Sequence, residues 1–353
     1  MTRNIQAWLA GTAALVAVLA VSLNGRSQQP PAQPRPGERE LRFKSGVEVV
    51  NVTATVTDAS GRFVSGLRKE DFRVYEDGRP VEVTHFSAER VPVSLGIALD
   101  TSGSMAGDKI KAAEAALNRF LYDLLAPSDE IFLYRFSNAP VLLESWTTDR
   151  DRLSRALGNI VPSGGTALYD TIAEAIPLAQ TGRHVKKALV VISDGNDTSS
   201  RIALRDLKAQ IRQSELLVYA VGIDAEGEPT FRTRPRRPPR MPMPLPFPFP
   251  PGRRPEPIVP PPGRWSPSGS SDVDRVNVDA LRELTDDSGG RTEIIRYARD
   301  LDPATAGVAD ELSKQYYLGY TPPGTRDGRW HSIRVEVRNP SYHVRARRGY
   351  VAS

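Results

Sequence analysis

The chain has 353 residues, which is long enough for two domains and a sizeable hydrophobic core. It contains no cysteine, which excludes disulfide scaffolds and thiolate metal sites. The formal net charge is +5, but residues 228–264 hold eight arginines and two glutamates, so the remainder is close to neutral. The charge is therefore a property of one segment and does not indicate a nucleic-acid-binding domain.

The first 23 residues carry Arg3 and then a mostly apolar stretch from Ala7 to Leu23, which is typical of a secretory signal. The stretch is also nearly long enough to span a bilayer, so we predict either cleavage or retention as a membrane anchor. Residues 24–40 are polar and rich in proline, which predicts a disordered linker. The protein is therefore expected outside the cytoplasm: periplasmic, membrane-anchored or secreted.

Short β-branched segments lie on both sides of the central part of the chain. Within residues 41–90, strands are predicted at 47–56, 63–64, 72–75 and 81–86, with a hairpin turn at 76–79. Within residues 316–353, strands are predicted at 316–320, 330–337 and 342–350. Neither set can bury a core alone, so we predict one small β-sandwich built from both flanks. Two separate β-hairpin appendages are the alternative.

Residues 91–315 alternate between apolar runs and helical patterns. The runs at 91–99, 131–134, 189–192 and 216–221 lack period-2 alternation, as expected for strands covered by helices on both faces. An edge strand is predicted at 141–146 and a last strand at 291–295. Helices are predicted from Ile110 to Leu124 and at 149–157, 166–180, 201–214, 276–285 and 302–314. The predicted fold class is α/β: a doubly wound, mostly parallel, Rossmann-like sheet inserted into the β-sandwich.

A proline-rich insertion at 227–272 interrupts this domain. Sixteen of the 30 prolines lie at 229–267, a density that forbids a helix or an inner strand and favours an extended segment. We interpret the insertion as a solvated spacer, with a docking site for a proline-binding groove as the alternative.

Oxygen-bearing side chains follow the first apolar run of this domain. Asp100, Ser102 and Ser104 lie within five residues, at the sheet edge where α/β proteins bind ligands. Their oxygen atoms suit a hard cation such as Mg²⁺. Taken alone, the stretch also fits a capped helix start. Two later stretches add Thr166, after two glycines, and Asp194, at the end of another apolar run.

Together, the three stretches resemble the metal-ion-dependent adhesion site of the von Willebrand factor A domain family, over roughly residues 90–315. Segments near residue 60, at 70–78 and at 316–320 resemble a bacterial, secreted subgroup. The resemblance implies that Mg²⁺, or Mn²⁺ in its place, is bound by Asp100, Ser102, Ser104, Thr166 and Asp194. It implies direct coordination by the serines, and by Thr166 when a ligand is bound, with the aspartates acting partly through water.

The resemblance also implies a partner, since an Asp or Glu of a protein ligand would complete the coordination of the cation. The expected function is an exported, metal-dependent protein-binding or adhesion module and not an enzyme. No nucleic acid is expected as a partner, and a membrane only through the N-terminal segment. The resemblance further implies that helix 302–314 can shift when ligand binds, with a fixed helix as the alternative.

Two other function classes stay open. One is a structural envelope protein with a non-functional metal site. The other is a metal-dependent hydrolase, which the sequence disfavours because it has no nucleophile elbow and no Walker A loop. Its four histidines, at 85, 184, 331 and 343, are also far from the candidate ligands in sequence.

Overall fold

The computed structural model describes residues 49–194, 196–223, 277–324 and 327–352. The predictions for residues 1–40 and for the proline-rich insertion lie outside these ranges. Fourteen strands lie within the described residues: β1 (Val50–Thr57), β2 (Phe72–Glu76), β3 (Arg79–Val81), β4 (Val83–Ser87), β5 (Val93–Asp100), β6 (Glu130–Phe136), β7 (Pro140–Thr147), β8 (Lys186–Ser193), β9 (Leu217–Ile223), β10 (Thr292–Ile295), β11 (Tyr316–Tyr320), β12 (Trp330–Val337), β13 (His343–Ala346) and β14 (Gly349–Val351).

Six α-helices complete the described part of the chain: α1 (Asp108–Arg119), α2 (Arg150–Leu157), α3 (Leu168–Gln180), α4 (Leu204–Gln213), α5 (Val278–Asp286) and α6 (Leu301–Lys314). Helix α1 continues as a π-helical segment, Phe120–Leu124. Within the described ranges, no helix is long and apolar enough to cross a bilayer.

The central sheet has six strands in the order β10-β9-β8-β5-β6-β7. All neighbours are parallel except β6 and β7, so the sheet is mostly parallel with one antiparallel edge strand. Helices α1, α2 and α6 pack on one face of this sheet, and α3, α4 and α5 pack on the other. The predicted doubly wound α/β fold is confirmed.

Strand β5 lies at the centre of this sheet, and all eight of its residues are buried. Gly96 in the middle of the strand allows a close approach of the neighbouring strand. A Cβ atom at this position would lie 2.2 Å from Cζ of Phe132, so only glycine leaves room for the phenyl ring. The ring in turn packs edge-on against Trp146 of β7, with the two ring centroids 4.7 Å apart.

The remaining strands form two antiparallel sheets, ordered β13-β1-β11-β4 and β14-β12-β2-β3. Both sheets combine strands from the N-terminal and C-terminal flanks. Strand β1 pairs with β11 and β13, while β12 pairs with β2 and β14. An apolar cluster from both sheets is buried between them, including Val52, Phe72 and Leu318. The predicted sandwich built from both flanks is confirmed, and the α/β domain is inserted into it.

Two strands that were predicted to be continuous are each divided between the two sheets. The segment 81–86 breaks at Glu82, between β3 and β4, and the segment 342–350 breaks at residues 347–348, between β13 and β14. Strands that change sheet in this way form the corners of a sandwich. The predicted strand at 63–64 is only an isolated bridge between Phe63 and Thr57.

Candidate functional site

Asp100 is the last residue of β5 and is fully buried. Its Oδ1 accepts a hydrogen bond from the backbone N–H of Ser102 at 2.8 Å, and its Oδ2 accepts one from the Ser193 hydroxyl at 2.5 Å. Burial raises the pKa of Asp100 to about 6, because desolvation of the carboxylate outweighs these hydrogen bonds, and Asp194 adds a smaller effect in the same direction. The carboxylate is therefore held in place at the edge of the sheet.

A chain of oxygen atoms leads from the loop after β5 to the end of β8. The hydroxyl oxygens of Ser102 and Ser104 are 3.0 Å apart, and the Ser104 hydroxyl donates to Oδ1 of Asp194 at 2.8 Å. Ser102 and Asp194 are buried, whereas Ser104 is exposed to solvent. The two strand ends predicted to converge are therefore in direct side-chain contact.

Thr166 lies in the loop before α3 and is buried. Its backbone N–H donates to the Thr198 hydroxyl at 3.0 Å, and its carbonyl accepts from the N–H groups of Thr198 and Ser199. The same loop is joined to the β5 loop, since Gly103 N–H donates to the Gly164 carbonyl at 3.0 Å. In the described part of the chain, no hydrogen bond links the Thr166 hydroxyl to the other four predicted ligands. The backbone around Thr166 is therefore hydrogen-bonded to the β5 loop, whereas the Thr166 hydroxyl makes no hydrogen bond to the other predicted ligands in the described residues.

Gly164 shows why this loop needs its two glycines. Its φ is +80°, and a Cβ atom there would lie 2.6 Å from Nδ2 of Asn138. Asn138 in turn accepts a hydrogen bond from Gly165 N–H at 2.6 Å. Sequence reasoning did not select Asn138, although a polar residue two positions after β6 lies at the same sheet edge and could have been found from that placement.

Lys109 is the second residue that sequence reasoning missed. It lies in the first turn of α1, and its ammonium group forms an ion pair with Oδ2 of Asp194. The Lys109 side chain is 24% exposed and the Asp194 side chain is fully buried. No sequence signal identified this contact, because a lysine in a first helical turn is ordinarily a solvated residue. The candidate site thus contains a positive charge of its own.

The four histidines do not take part in this arrangement. His184 lies just before β8, at the opposite edge of the sheet from Asp194, and its ring contacts the Ser128 carbonyl. The other three lie in the sandwich strands β4, β12 and β13. The candidate site therefore consists of carboxylates, hydroxyls and one ammonium group, a donor set that can bind a cation.

Comparison with known proteins is consistent with this fold. The family model for the von Willebrand factor type A domain matches residues 95–196, which run from β5 to the loop after β8. The inter-alpha-trypsin inhibitor heavy chain H2 of Sus scrofa is 23% identical over 160 residues, covering 40% of this chain and 17% of the relative. The present chain therefore spans only about a sixth of that relative's length.

Solved structures with a similar fold include two from bacteria. The von Willebrand factor type A protein of Catenulispora acidiphila is 14% identical, covers 86% of this chain and 72% of that chain, and gives a TM-score of 0.46. The conserved hypothetical protein BatB of Bacteroides thetaiotaomicron is 21% identical, covers 63% and 98% of the two chains, and gives a TM-score of 0.44. The six-stranded sheet and the family match over residues 95–196 together show a von Willebrand factor type A domain in this part of the chain.

Proposed function

We propose that this protein is an extracytoplasmic binding module that captures an acidic residue of a protein partner through a divalent cation. The cation, Mg²⁺ or Mn²⁺, would be held by Asp100, Ser102, Ser104, Thr166 and Asp194. The observation that carries the proposal is the contact between Ser102, Ser104 and Asp194, whose oxygen atoms come from two different strand ends. Modules of this family are typically adhesion or protein-interaction domains.

The spacing of these oxygens fits an octahedral cation. Two neighbouring ligands of Mg²⁺, each about 2.1 Å from the metal at a right angle, lie about 3.0 Å apart. The two measured separations, 3.0 and 2.8 Å, are close to this value. Both oxygens of Asp100 are already occupied by Ser102 and Ser193, which suits a role for Asp100 through water or through positioning Ser102. Oδ1 of Asn196, two residues after Asp194, is buried without a hydrogen-bond partner and can accept a hydrogen bond from a water molecule.

The charge of the donor set supports capture of an anion. Asp100 and Asp194 supply two negative charges, and the hydroxyls supply none. A divalent cation held mainly by neutral oxygens keeps a strong attraction for a further carboxylate. This is the chemical reason for assigning an Asp or Glu of a protein partner as the ligand, with the bacterial, secreted subgroup as the setting. Export through residues 1–23 and a spacer role for residues 227–272 belong to the same proposal.

One observation favours the structural alternative. Lys109 already neutralises Asp194 in the structure, and an internal ion pair of this kind can replace a metal ion. The hydrolase alternative receives no comparable support, because no histidine contacts the described part of the site. The experiment must therefore separate a working metal site from one closed by Lys109.

Isothermal titration of the purified protein with Mg²⁺ tests the metal site directly. We expect one ion to bind, with at least a tenfold weaker affinity in Ser104→Ala, which removes an oxygen ligand, and in Asp194→Asn, which removes a negative charge. Ser128→Ala is the matched control, because Ser128 is exposed at the opposite edge of the sheet. Absence of Mg²⁺ binding to the unaltered protein would overturn the metal site and favour the structural alternative.

Capture of a partner tests the second half of the proposal. Immobilised protein is incubated with an envelope extract in Mg²⁺ or in EDTA, with Asp194→Asn in parallel. We expect a partner that is recovered only by the unaltered protein in Mg²⁺, and that is lost when one Asp or Glu of that partner is replaced. Recovery that is equal in EDTA would show that binding does not pass through the cation.

A further inference from the structure

Three ligand-type side chains meet at one end of the β-sandwich, away from the site described above. Glu76 is the last residue of β2, Asp77 follows it in the β2–β3 turn, and His331 lies in β12. One donor atom from each of the three lies within 4.8 Å of the other two. Nδ1 of His331 is 2.8 Å from Oδ2 of Asp77 and 3.7 Å from Oε1 of Glu76. We propose that these three side chains form a second metal site, selective for Zn²⁺.

The spacing of the three donors suits a tetrahedral ion. Zn²⁺ binds histidine nitrogen and carboxylate oxygen at about 2.0–2.1 Å, which places neighbouring tetrahedral ligands about 3.3 Å apart. The observed separations of 2.8 and 3.7 Å lie on either side of this value. A histidine ligand favours zinc over magnesium or calcium, which prefer oxygen ligands only. Three protein ligands leave the fourth position of the ion for water.

The outer contacts of the three side chains are those of a metal site. His331 directs its other ring nitrogen, Nε2, to the Asp327 carboxylate at 3.2 Å, which is the carboxylate–histidine arrangement that orients metal-bound imidazoles. Oε2 of Glu76 accepts hydrogen bonds from Tyr320 and Tyr350 at 2.6 and 3.2 Å, leaving Oε1 directed to His331. Each of these two ligands therefore presents one donor atom to the cluster while its other atom is held elsewhere.

Asp77 follows the same pattern. Its Oδ1 accepts from the backbone N–H of Ser332 at 2.8 Å and from the Ser332 hydroxyl at 3.1 Å, which leaves Oδ2 for the cluster. The turn that carries Asp77 is itself joined to β12, because Asp77 N–H donates to the Ser332 carbonyl at 3.0 Å. A metal ion here would link the β2–β3 turn to β12 and close this end of the sandwich.

The charge of the cluster calls for a cation. Glu76, Asp77 and Asp327 contribute three carboxylates around a single imidazole, and Glu76 is only 3% exposed. Among the residues that the structure describes, no lysine or arginine forms an ion pair with Glu76 or Asp77. A proton on His331 balances one of the three charges, whereas Zn²⁺ balances two. The Asp77 side chain is 50% exposed, which gives an ion a path from solvent.

Without metal, the same carboxylates favour the protonated, imidazolium form of His331. Their hydrogen bonds, from Asp327 first and then from Asp77, raise the pKa of His331 above its usual value. A proton and a metal ion therefore compete for Nδ1. The experiments below therefore distinguish a zinc-bound His331 from a protonated His331.

Zinc titration in the presence of saturating Mg²⁺ isolates this site from the candidate site at Asp100. We expect one Zn²⁺ per chain in the unaltered protein, lost in His331→Gln and weakened about tenfold in Asp327→Asn, which removes only the outer partner. His343→Gln is the matched control, since His343 is an exposed histidine in another strand of the sandwich. Substitution with Co²⁺ adds a readout independent of stability, because tetrahedral Co²⁺ absorbs strongly in the visible range.

A second set of variants makes the result independent of the proposed function. Ser104→Ala is expected to leave the Zn²⁺ count unchanged, and Glu76→Gln to abolish it while circular dichroism shows an intact fold. Zinc binding that persists in His331→Gln but disappears in Ser104→Ala would place the ion at the other site and overturn the inference. Absence of any zinc binding would also overturn it and would leave the cluster as a hydrogen-bonded imidazolium.

Discussion

At the scale of single residues, Lys109 has the most direct influence on the candidate cation site. Its ammonium group contacts Oδ2 of Asp194, the carboxylate whose Oδ1 accepts from Ser104. A divalent cation bound to the same carboxylate would be repelled by this charge. Because the lysine is 24% exposed, it can turn toward solvent when a cation binds, so the repulsion is reduced but not removed.

Replacement of Lys109 by methionine is therefore expected to strengthen Mg²⁺ binding. We expect a gain of about fivefold in affinity, equivalent to about 1 kcal/mol, because the competing ammonium group is removed while the side-chain length is kept. Isothermal titration measures the change, and Lys111→Met is the matched control, since Lys111 is exposed on the same helix. Unchanged or weaker binding would mean that Lys109 positions Asp194 and does not compete with the metal.

The sequence was sufficient to predict which strand ends carry the oxygen side chains. Asp100 and Asp194 each follow an uninterrupted apolar run, and parallel strands bring such ends to one edge of a sheet. The sequence could not predict Lys109 or Ser193 as their partners. These contacts depend on the directions in which side chains project from α1 and β8 across the edge, and nothing in the local pattern encodes them.

At the scale of elements, helix α6 contacts both the central sheet and the β-sandwich. Glu311 of α6 is completely buried and accepts hydrogen bonds from Thr55 of β1 at 3.1 Å and Tyr219 of β9 at 3.0 Å. Arg345 of β13 forms an ion pair with the same carboxylate, and Arg291 lies 3.3 Å from it. A buried carboxylate with two arginine partners is costly to move, because either charge would be left uncompensated. These contacts favour the alternative of a fixed α6 over a shifting one.

Lys186 of β8 is a second buried charge held against α6. Its ammonium group donates a hydrogen bond to the Leu312 carbonyl. Burial lowers the pKa of Lys186 to about 7, because desolvation outweighs the attraction of Glu311. In the unfolded chain the pKa of a lysine is about 10.4. Between these two values the unfolded state binds more protons than the folded state, so the free energy of unfolding rises with pH.

We therefore expect the free energy of unfolding to increase between pH 7.5 and 9.5 by at most about 1.4 kcal/mol per pH unit, the limit for one group. Below pH 7, Lys186 is protonated in both the folded and the unfolded state, so it adds nothing to the pH dependence of the free energy of unfolding. Lys186→Met removes the group and is expected to flatten the dependence, while Lys111→Met keeps it. Urea denaturation at three pH values measures the slopes. Equal slopes in the unaltered protein and in Lys186→Met would show that the lysine is not desolvated as the structure indicates.

The strands of the sandwich show which features the sequence pattern could not predict. Periodicity located both flanking sets, but it could not show that a strand changes sheet at Glu82 or after Ala346. A change of sheet requires only a short local bend, and the β-branched pattern continues on both sides of it. The pairing partners were inferred instead from the number of strands available to bury a core, which is a property of the whole chain.

At the scale of the whole molecule, the N-terminal strands depend on a segment that follows them by more than 200 residues. Strand β1 lies between β11 and β13, so both of its neighbours come from the C-terminal flank. Its buried side chains, Val50, Val52 and Ala54, pack in a cluster that includes Tyr316, Leu318 and Tyr320. The inserted α/β domain has its own two clusters, one on each face of the central sheet.

Removal of residues 316–353 is therefore expected to unfold the sandwich and to spare the α/β domain. In a chain that ends at Gln315, the backbone amides of β1 lose both hydrogen-bonded neighbours and should exchange at close to unfolded rates. The amides of β5, in the centre of the other sheet, serve as the internal control and should keep their protection. Hydrogen exchange followed by mass spectrometry measures both strands in one sample. Equal protection of Val50–Thr57 in the truncated and full chains would contradict the shared sandwich, because no strand from the N-terminal flank pairs with β1 in the described residues.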